Sequence, residues 1–216
     1  MGLLTITIDG HVSENVYTAQ DTQSPLLTEN EILHKYKDVF EGLGNIGEAK
    51  LTVDPEAKPV QHAPRRVAVT LHQEVKEKLA ELEKKGIISK ETDPTDWISS
   101  LVVVAKPGKI RLCLDPKDLN QAIKRPKYQM PTLEEVLPNL SNAKVFSTLD
   151  AKDGFYQIGL DEESSKLTTF WTPFGRYRYL RMPFGISAAP EEFECKLHER
   201  VGDAISKASK YSAMIS

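Results

Sequence analysis

The stretch Phe146-Ser-Thr-Leu-Asp-Ala-Lys-Asp-Gly-Phe-Tyr-Gln-Ile158 decides the fold of this chain, because in it an apolar strand breaks into a turn that contains a glycine. The break places the carboxylate of Asp150 at the end of the strand. Taken alone, an aspartate in such a turn commonly accepts hydrogen bonds from nearby amides, which favours a structural role. The same position suits a metal ligand, so the flanking sequence has to decide between the two roles.

Composition places few limits on function. The 216 residues are 40% hydrophobic and 27% charged, which is ordinary for a globular protein with a buried core. With 28 basic and 31 acidic side chains the formal net charge is −3, so global charge does not indicate nucleic-acid binding. Cys113 and Cys195 are too few and too far apart to define a metal site, and a reducing intracellular compartment is the default. The sequence leaves open whether that compartment is cytoplasmic or nuclear. We expect no membrane insertion, because no apolar run approaches the roughly 20 residues that span a bilayer.

A local basic patch is nevertheless present in the middle of the chain. Only Asp115 and Asp118 interrupt it. Charge alone leaves two interpretations open, a solvated face and a contact with nucleic acid. The patch consists of Lys106, Lys109, Arg111, Lys117, Lys124, Arg125 and Lys127.

The N-terminal third divides into two parts. Residues 1–27 are polar and mixed, which predicts a disordered linker. Residues 28–70 begin with Thr28 and Glu31 at capping-box spacing, which predicts a short amphipathic helix. Pro55, Pro59 and Pro64 then forbid a helix, so we expect an extended strap across the domain.

Residues 71–142 are predicted to hold a helix, a hairpin and a second helix. Apolar residues at helical spacing run from Leu71 to Leu82, and Gly86 follows where a left-handed cap would end that helix. The strand-like runs 100–105 and 110–114 flank Lys106-Pro-Gly-Lys109, which suits a hairpin turn. A second capping box at Thr132 predicts the next helix.

Residues 143–205 complete an α+β pattern, with a strand at 143–149 that ends at Asp150. The runs 167–171 and 177–182 predict a second hairpin. Pro190 suits the first turn of a helix whose apolar residues recur every four positions, and residues 206–216 are expected to fray. That apolar stripe is Phe193, Leu197, Val201 and Ile205.

Two further motifs follow the opening stretch in a fixed order. They are Phe170-Trp-Thr-Pro-Phe-Gly-Arg-Tyr-Arg-Tyr-Leu-Arg-Met-Pro-Phe-Gly185 and Ala188-Ala-Pro-Glu-Glu-Phe193. Together the three motifs resemble the reverse transcriptase of gypsy-type retrotransposons, an RNA-directed DNA polymerase, over about residues 27–199. Phenylalanine at Phe184 is usual in gypsy-type elements, whereas retroviral relatives have glutamine. The resemblance implies a right-hand polymerase fold, with residues 71–142 as fingers and 143–205 as part of a ferredoxin-like palm.

The resemblance also implies roles for individual residues. Asp150 and the backbone carbonyl of Ala151 match metal ligands, and hard oxygen ligands imply magnesium, with manganese as a substitute. Phe155 matches the residue that excludes a 2′-hydroxyl, although without the resemblance a core aromatic would be the better interpretation. The positions that match nucleotide-binding residues are Lys106, Lys109, Arg111, Asp153, Gly154, Phe155, Phe184 and Gly185. The implied partners are an RNA or DNA template-primer and deoxynucleoside triphosphates.

The family places a second pair of adjacent aspartates on a hairpin after the helix that begins near Pro190. The sequence contains no Asp-Asp dipeptide up to Ser216. We therefore expect a truncated polymerase fragment that binds metal weakly and is inactive alone. An incomplete palm would also leave an open sheet edge, which favours self-association. The alternatives are a non-catalytic nucleic-acid-binding remnant and a protein-interaction module.

Overall fold

The computed structural model describes residues 29–35, 37, 42–106, 109–126, 128, 134 and 151–207. These residues contain α1 (Glu29–Lys35), α2 (His72–Lys84), α3 (Lys117–Ala122), α4 (Glu162–Leu167) and α5 (Ala189–Lys207). The strands are β1 (Gly47–Ala49), β2 (Ile88–Lys90), β3 (Ser100–Lys106), β4 (Lys109–Asp115), β5 (Ile158–Leu160), β6 (Phe170–Thr172) and β7 (Gly175–Tyr179). Short 3₁₀ helices lie at Val69–Leu71 and Gly154–Gln157.

The strands form three small sheets that share one hydrophobic core. β1 and β5 are parallel, β2, β7 and β6 are antiparallel in that order, and β3 and β4 form a hairpin. A single bridge from Ser99 to Phe170 joins the hairpin to the three-stranded sheet, and another from Gly159 to Arg181 joins β5 to the chain after β7. Mixed helices and small sheets of this kind confirm the predicted α+β class.

Helix α2 follows its predicted pattern. Val75, Leu79 and Leu82 are buried on one face, while the charged side chains lie on the other. The helix is followed by Gly86, whose φ of +67° is the left-handed conformation that glycine adopts without strain. The predicted helix and its glycine stop are confirmed.

The proline-rich strap contains no helix but makes one turn, in which the amide of Ala57 donates to the carbonyl of Asp54 at 3.0 Å, and it then crosses the base of the β3–β4 hairpin. Its backbone bridges Gln61 to Ile98, and the amide of His62 donates to the carbonyl of Ile98 at 2.9 Å. Two side-chain pairs hold the strap to β4 and α3: Arg65 lies 2.7 Å from Asp115, and His62 lies 2.6 Å from Asp118. The strap therefore fixes the hairpin on which the basic patch begins.

The second hairpin begins later than the sequence predicts. Leu167 is the last residue of α4 and not part of a strand, and β6 starts only at Phe170. Asp161 begins α4 by accepting a hydrogen bond from the amide of Ser164 at 2.8 Å. The helix is six residues long, too short for an apolar period to reveal it.

Helix α5 starts at Ala189, next to the predicted Pro190, and Phe193 is buried. The helix continues to Lys207, beyond the predicted start of the frayed tail. The linker at 1–27, the predicted strand at 143–149 and most of the helix predicted from Thr132 lie outside the described residues. Within the described part of the chain, no helix is both long and apolar enough to cross a lipid bilayer.

Candidate active site

A tight turn follows the position of Asp150 and carries four of the predicted site residues. Asp153 begins it with φ 52° and ψ 38°, and among the described residues it is the one non-glycine with a positive φ. Aspartate tolerates this left-handed conformation better than most residues do. The amide of Gly154 donates to the carbonyl of Ala151 at 3.1 Å, and the amide of Tyr156 donates to the carbonyl of Asp153 at 2.8 Å. The Gly154 amide is thus already paired within the turn.

The turn presents two aromatic rings to a third ring that comes from the loop before α5. The ring of Phe184 lies 5.0 Å from that of Phe155 and 5.3 Å from that of Tyr156, with an edge-on arrangement in the second pair. We call Phe155, Tyr156 and Phe184 the aromatic wall. Phe184 is 50% exposed, so the wall is open to solvent on one side. Such an exposed aromatic surface suits stacking with a planar ligand.

The wall rests on helix α5. The ring of Phe193 lies 5.8 Å from that of Phe155 in an edge-on arrangement. A Cβ atom on Gly154 would come within 3.1 Å of the Phe193 ring. Glycine at position 154 therefore lets the turn lie directly on helix α5. This close contact fixes the position of the Phe155 ring relative to the helix.

Burial changes the acidity of the tyrosine in the wall. Burial, together with the nearby carboxylate of Asp153, raises the pKa of Tyr156 to about 12. Burial also raises the pKa of Tyr179 well above its usual value, with the Tyr156 hydroxyl as the next cause. The two rings are nearly parallel, with centroids 6.3 Å apart. Both phenols are neutral at physiological pH, so the wall itself carries no charge.

The β3–β4 hairpin carries Arg111 in the strand whose far end, at Leu114, lies against the loop of Phe184 and Gly185. Side chains two residues apart in a strand point to the same face of the sheet. Arg111 and Cys113 of β4 therefore share a face. Cys113 is near enough to Tyr156 and Tyr179 to contribute to the raised pKa of each. Arg111 is exposed and pairs with Val104 across the hairpin. It lies two residues nearer to the hairpin tip than Cys113 does. Arg111 therefore lies on the face of the hairpin that also carries Cys113.

The loop between β7 and α5 is pressed against the other end of β4. Gly185 has a φ of +104°, and a Cβ atom there would lie 2.8 Å from the carbonyl oxygen of Leu114. Only glycine fits both constraints. Asn120 also binds this loop, a contact that the sequence did not suggest because a single asparagine in a short helix has no distinguishing pattern.

The predicted metal site is only partly described. Asp150 lies outside the described residues, and the carbonyl of Ala151 is the one predicted ligand within them. Among the described residues, no group of three or more His, Cys, Asp or Glu side chains could hold a metal ion. Lys106 and Lys109 are directly opposite each other at the end of the hairpin, and their side chains are outside the description.

The structure thus brings two separate predicted segments together. The turn at Ala151, Asp153, Gly154 and Phe155 meets the loop at Phe184 and Gly185 through the aromatic contacts. Arg111 belongs to the hairpin beside them. The described residues of the turn and of the loop therefore lie together, while the role of each residue stays a prediction.

Comparison with known proteins defines the class. The profile of the family described as reverse transcriptase (RNA-dependent DNA polymerase) matches residues 88–212, which is more than half of the chain. The chain belongs to this family. Its members generally use divalent metal ions.

The relatives of this chain include an uncharacterized protein and the Pol polyprotein of a transposon. The chain is 32% identical over 206 residues to the uncharacterized protein K02A2.6 of Caenorhabditis elegans, covering 93% of the chain and 16% of that relative. It is 35% identical over 141 residues to the retrovirus-related Pol polyprotein from transposon 297 of Drosophila melanogaster, covering 63% of the chain and 13% of the polyprotein. The chain is thus a reverse transcriptase domain similar to those of transposon Pol polyproteins, and it spans about a sixth or less of the length of these relatives.

Solved structures support the same fold. The crystal structure of the prototype foamy virus protease–reverse transcriptase matches with a TM-score of 0.68 at 19% identity, covering 81% of this chain and 24% of that one. The foamy viral protein in complex with an RNA/DNA hybrid matches with a TM-score of 0.59 at 17% identity, covering 84% and 26%. The prediction of a partial polymerase fold is confirmed.

Proposed function

We propose that residues 1–216 are the fingers and the N-terminal part of the palm of a gypsy-type reverse transcriptase. In this proposal the surface around the aromatic wall binds the template-primer and the incoming deoxynucleoside triphosphate. One observation carries the proposal: Phe155 and Phe184, from two separate motifs that the resemblance assigns to nucleotide binding, meet at 5.0 Å on a surface open to solvent. An exposed aromatic ring can stack on any base, which suits a polymerase that copies every sequence.

The proposed roles follow from chemistry at each position. Arg111 supplies positive charge to the triphosphate from the hairpin. Phe155 stands below the sugar, where its ring would clash with a 2′-hydroxyl and so favour deoxynucleotides. Asp153 and Gly154 bring backbone close to the phosphates, although the Gly154 amide would first have to leave the carbonyl of Ala151.

Asp150 and the carbonyl of Ala151 would hold a divalent ion. The Ala151 oxygen accepts one hydrogen bond from Gly154, and a carbonyl oxygen has a second lone pair for a cation. Hard oxygen donors fit Mg²⁺, and Mn²⁺ as a substitute. A bound ion would neutralise phosphate charge. We expect residues 1–216 by themselves to bind it weakly, because one carboxylate is a poor site for a divalent cation.

We also propose that these 216 residues do not extend a primer by themselves. Nucleotidyl transfer uses two metal ions held by converging carboxylates, and residues 1–216 include no Asp-Asp pair. Loss of a single charge-stabilising group typically costs about 10²–10³ in rate. Binding without extension is the expected behaviour. Self-association through an open sheet edge is a further part of the proposal.

Primer extension tests this function. The chain is given an RNA template, a DNA primer, deoxynucleoside triphosphates and magnesium, and it is compared with Asp150→Asn. Neither protein should extend the primer, while both bind the template-primer. Extension that is lost in Asp150→Asn would show that an unidentified carboxylate completes the site. A folded chain that fails to bind the template-primer would instead favour a protein-interaction module.

A further inference from the structure

Asn120 joins helix α3 to the loop before α5 through two hydrogen bonds from one side chain. Its Nδ2 donates to the carbonyl of Gly185 at 2.8 Å, and its Oδ1 accepts from the amide of Ser187 at 2.8 Å. One planar amide therefore satisfies a backbone acceptor and a backbone donor on either side of Ile186. These two bonds attach the loop to α3.

The same loop has little freedom to move towards the hairpin. Gly185 lies so close to the end of β4 that a Cβ atom would be 2.8 Å from the carbonyl of Leu114 and 3.5 Å from Cδ of Pro116. Phe184 immediately precedes this contact. Its backbone is thus fixed from the side of α3 and β4, whereas its ring rests on Phe155 and Tyr156 at 5.0 and 5.3 Å.

A second contact holds the far end of this loop, where helix α5 begins. Arg125, after α3, forms an ion pair with Glu191 in the first turn of α5. The Glu191 side chain is only 10% exposed, so it depends on this partner more than a surface carboxylate would. The chain from Asn120 to Arg125 is therefore attached to both ends of the segment from Gly185 to Glu191.

We propose that Asn120 is a positioning residue, which sets the position of the Phe184 ring on the aromatic wall and thereby the affinity for template-primer. The side chain is uncharged, so it acts by placing the loop and not by attracting phosphate. The part that concerns affinity rests on the proposed function. The part that concerns placement rests on the contacts of Asn120 alone.

The first test measures placement without any ligand. In Asn120→Ala, amide hydrogen exchange at Ser187 should become about tenfold faster, because its acceptor is gone. The fluorine resonance of Phe184 should also shift in protein labelled with 3-fluorophenylalanine, where Phe184→Leu identifies the signal. Gln121→Ala removes an exposed amide from the same helix and should change neither signal.

Asn120→Asp separates the two hydrogen bonds. A carboxylate still accepts from the Ser187 amide but cannot donate to the carbonyl of Gly185. Exchange at Ser187 should therefore stay close to that of the unchanged chain, while the Phe184 resonance still shifts. This variant also covers the case in which Asn120→Ala does not fold. A Phe184 resonance that stays in place in a folded Asn120 variant would overturn the proposal.

The second test measures affinity for an RNA/DNA template-primer by fluorescence anisotropy at several salt concentrations. Asn120→Ala should weaken binding about tenfold at every concentration without changing the salt slope, because no charge is removed. A shifted Phe184 resonance with unchanged affinity would refute the role in binding. If the unchanged chain binds no template-primer, the proposed function and the affinity role both fail, whereas the exchange and fluorine signals still decide placement.

Discussion

The ring of Phe184 lies 5.0 Å from the ring of Phe155 and joins the loop before the long helix to the turn after Asp150. Each of these two residues is held in place by contacts that do not involve the other. Phe155 already rests on Phe193, and the backbone around Phe184 is fixed by Gly185 and Asn120. Since two independently fixed segments meet here, the contact is a property of the tertiary fold, and it defines the surface on which function is proposed.

Replacing Gly185 tests whether the loop must lie against β4. Gly185→Ala should destabilise the chain by about 3 kcal/mol, since it adds both left-handed strain and a clash with the carbonyl of Leu114. Gly175→Ala is the matched control. Gly175 also has a positive φ, +113°, but its Cβ would meet nothing within 4 Å, so only about 1 kcal/mol is expected. Urea unfolding measures both, and equal losses would mean that the close contact does not matter.

The buried phenol of Tyr156 makes stability depend on alkaline pH. Its folded pKa of about 12 lies above the ordinary value of 10.0, so the folded state holds the proton more tightly than the unfolded state. The stabilisation is complete below pH 10 and is lost as pH rises through 12, by about 3 kcal/mol in total. Tyr156→Phe should reduce the slope of stability between pH 9.5 and 11.5. An unchanged slope in that variant would contradict the burial of this hydroxyl.

Arg178 is a further test of the fold, because it bridges two carboxylates. It lies 3.0 Å from Glu91, which is buried, and 2.9 Å from Glu162, which is exposed. Arg178→Met should cost about 3 kcal/mol, since Glu91 is left buried without its cation. Lys166→Ala removes only a surface pair with Glu162 and should cost under about 1 kcal/mol. Thermal unfolding measures the stability of both variants. A small loss of stability in Arg178→Met would mean that solvent reaches Glu91.

The same substitution changes the behaviour of the chain in acid. Arg178 is the main cause that lowers the pKa of Glu162 below its ordinary value of 4.5. A carboxyl group whose pKa is lower in the folded state stabilises the fold at pH values above its ordinary pKa. This stabilisation disappears as the pH falls through the folded pKa. In Arg178→Met the pKa of Glu162 should return towards 4.5, which carboxyl carbon NMR during an acid titration can follow. A pKa that stays low would assign the shift to Lys166.

The sequence predicts those elements that are long or that have a distinctive turn. Helix α2 has three apolar residues at helical spacing and a glycine stop, and both appear in the structure. The β3–β4 hairpin has two seven-residue strands that are separated in the sequence by a proline-glycine pair. The sequence does not predict helix α4, because its six residues include only one large apolar side chain. Its two serines are buried because they bond to distant parts of the chain, Ser164 to Leu51 and Ser165 to Tyr179.

The site was predicted residue by residue through the resemblance, whereas its assembly was not. No local pattern indicates that Phe184 packs on Phe155, since the two belong to different motifs. Asn120 has no signal at all, because its role depends on a loop that is far away in the chain. The pairing of the Gly154 amide with Ala151 was also not foreseen, and it changes what that amide is free to bind.

The most direct test of the proposed surface compares three single variants in template-primer binding, measured by anisotropy over a range of salt concentrations. Phe184→Ala should weaken binding about tenfold with an unchanged salt slope, because it removes stacking. Arg111→Ala should reduce the slope by about 1, because it removes one phosphate contact. Phe174→Ala, which truncates another exposed phenylalanine on the β6–β7 turn, should bind as the unchanged chain does. Equal effects of Phe184→Ala and Phe174→Ala, or no salt-dependent binding by the folded chain, would contradict a nucleic-acid site at the aromatic wall.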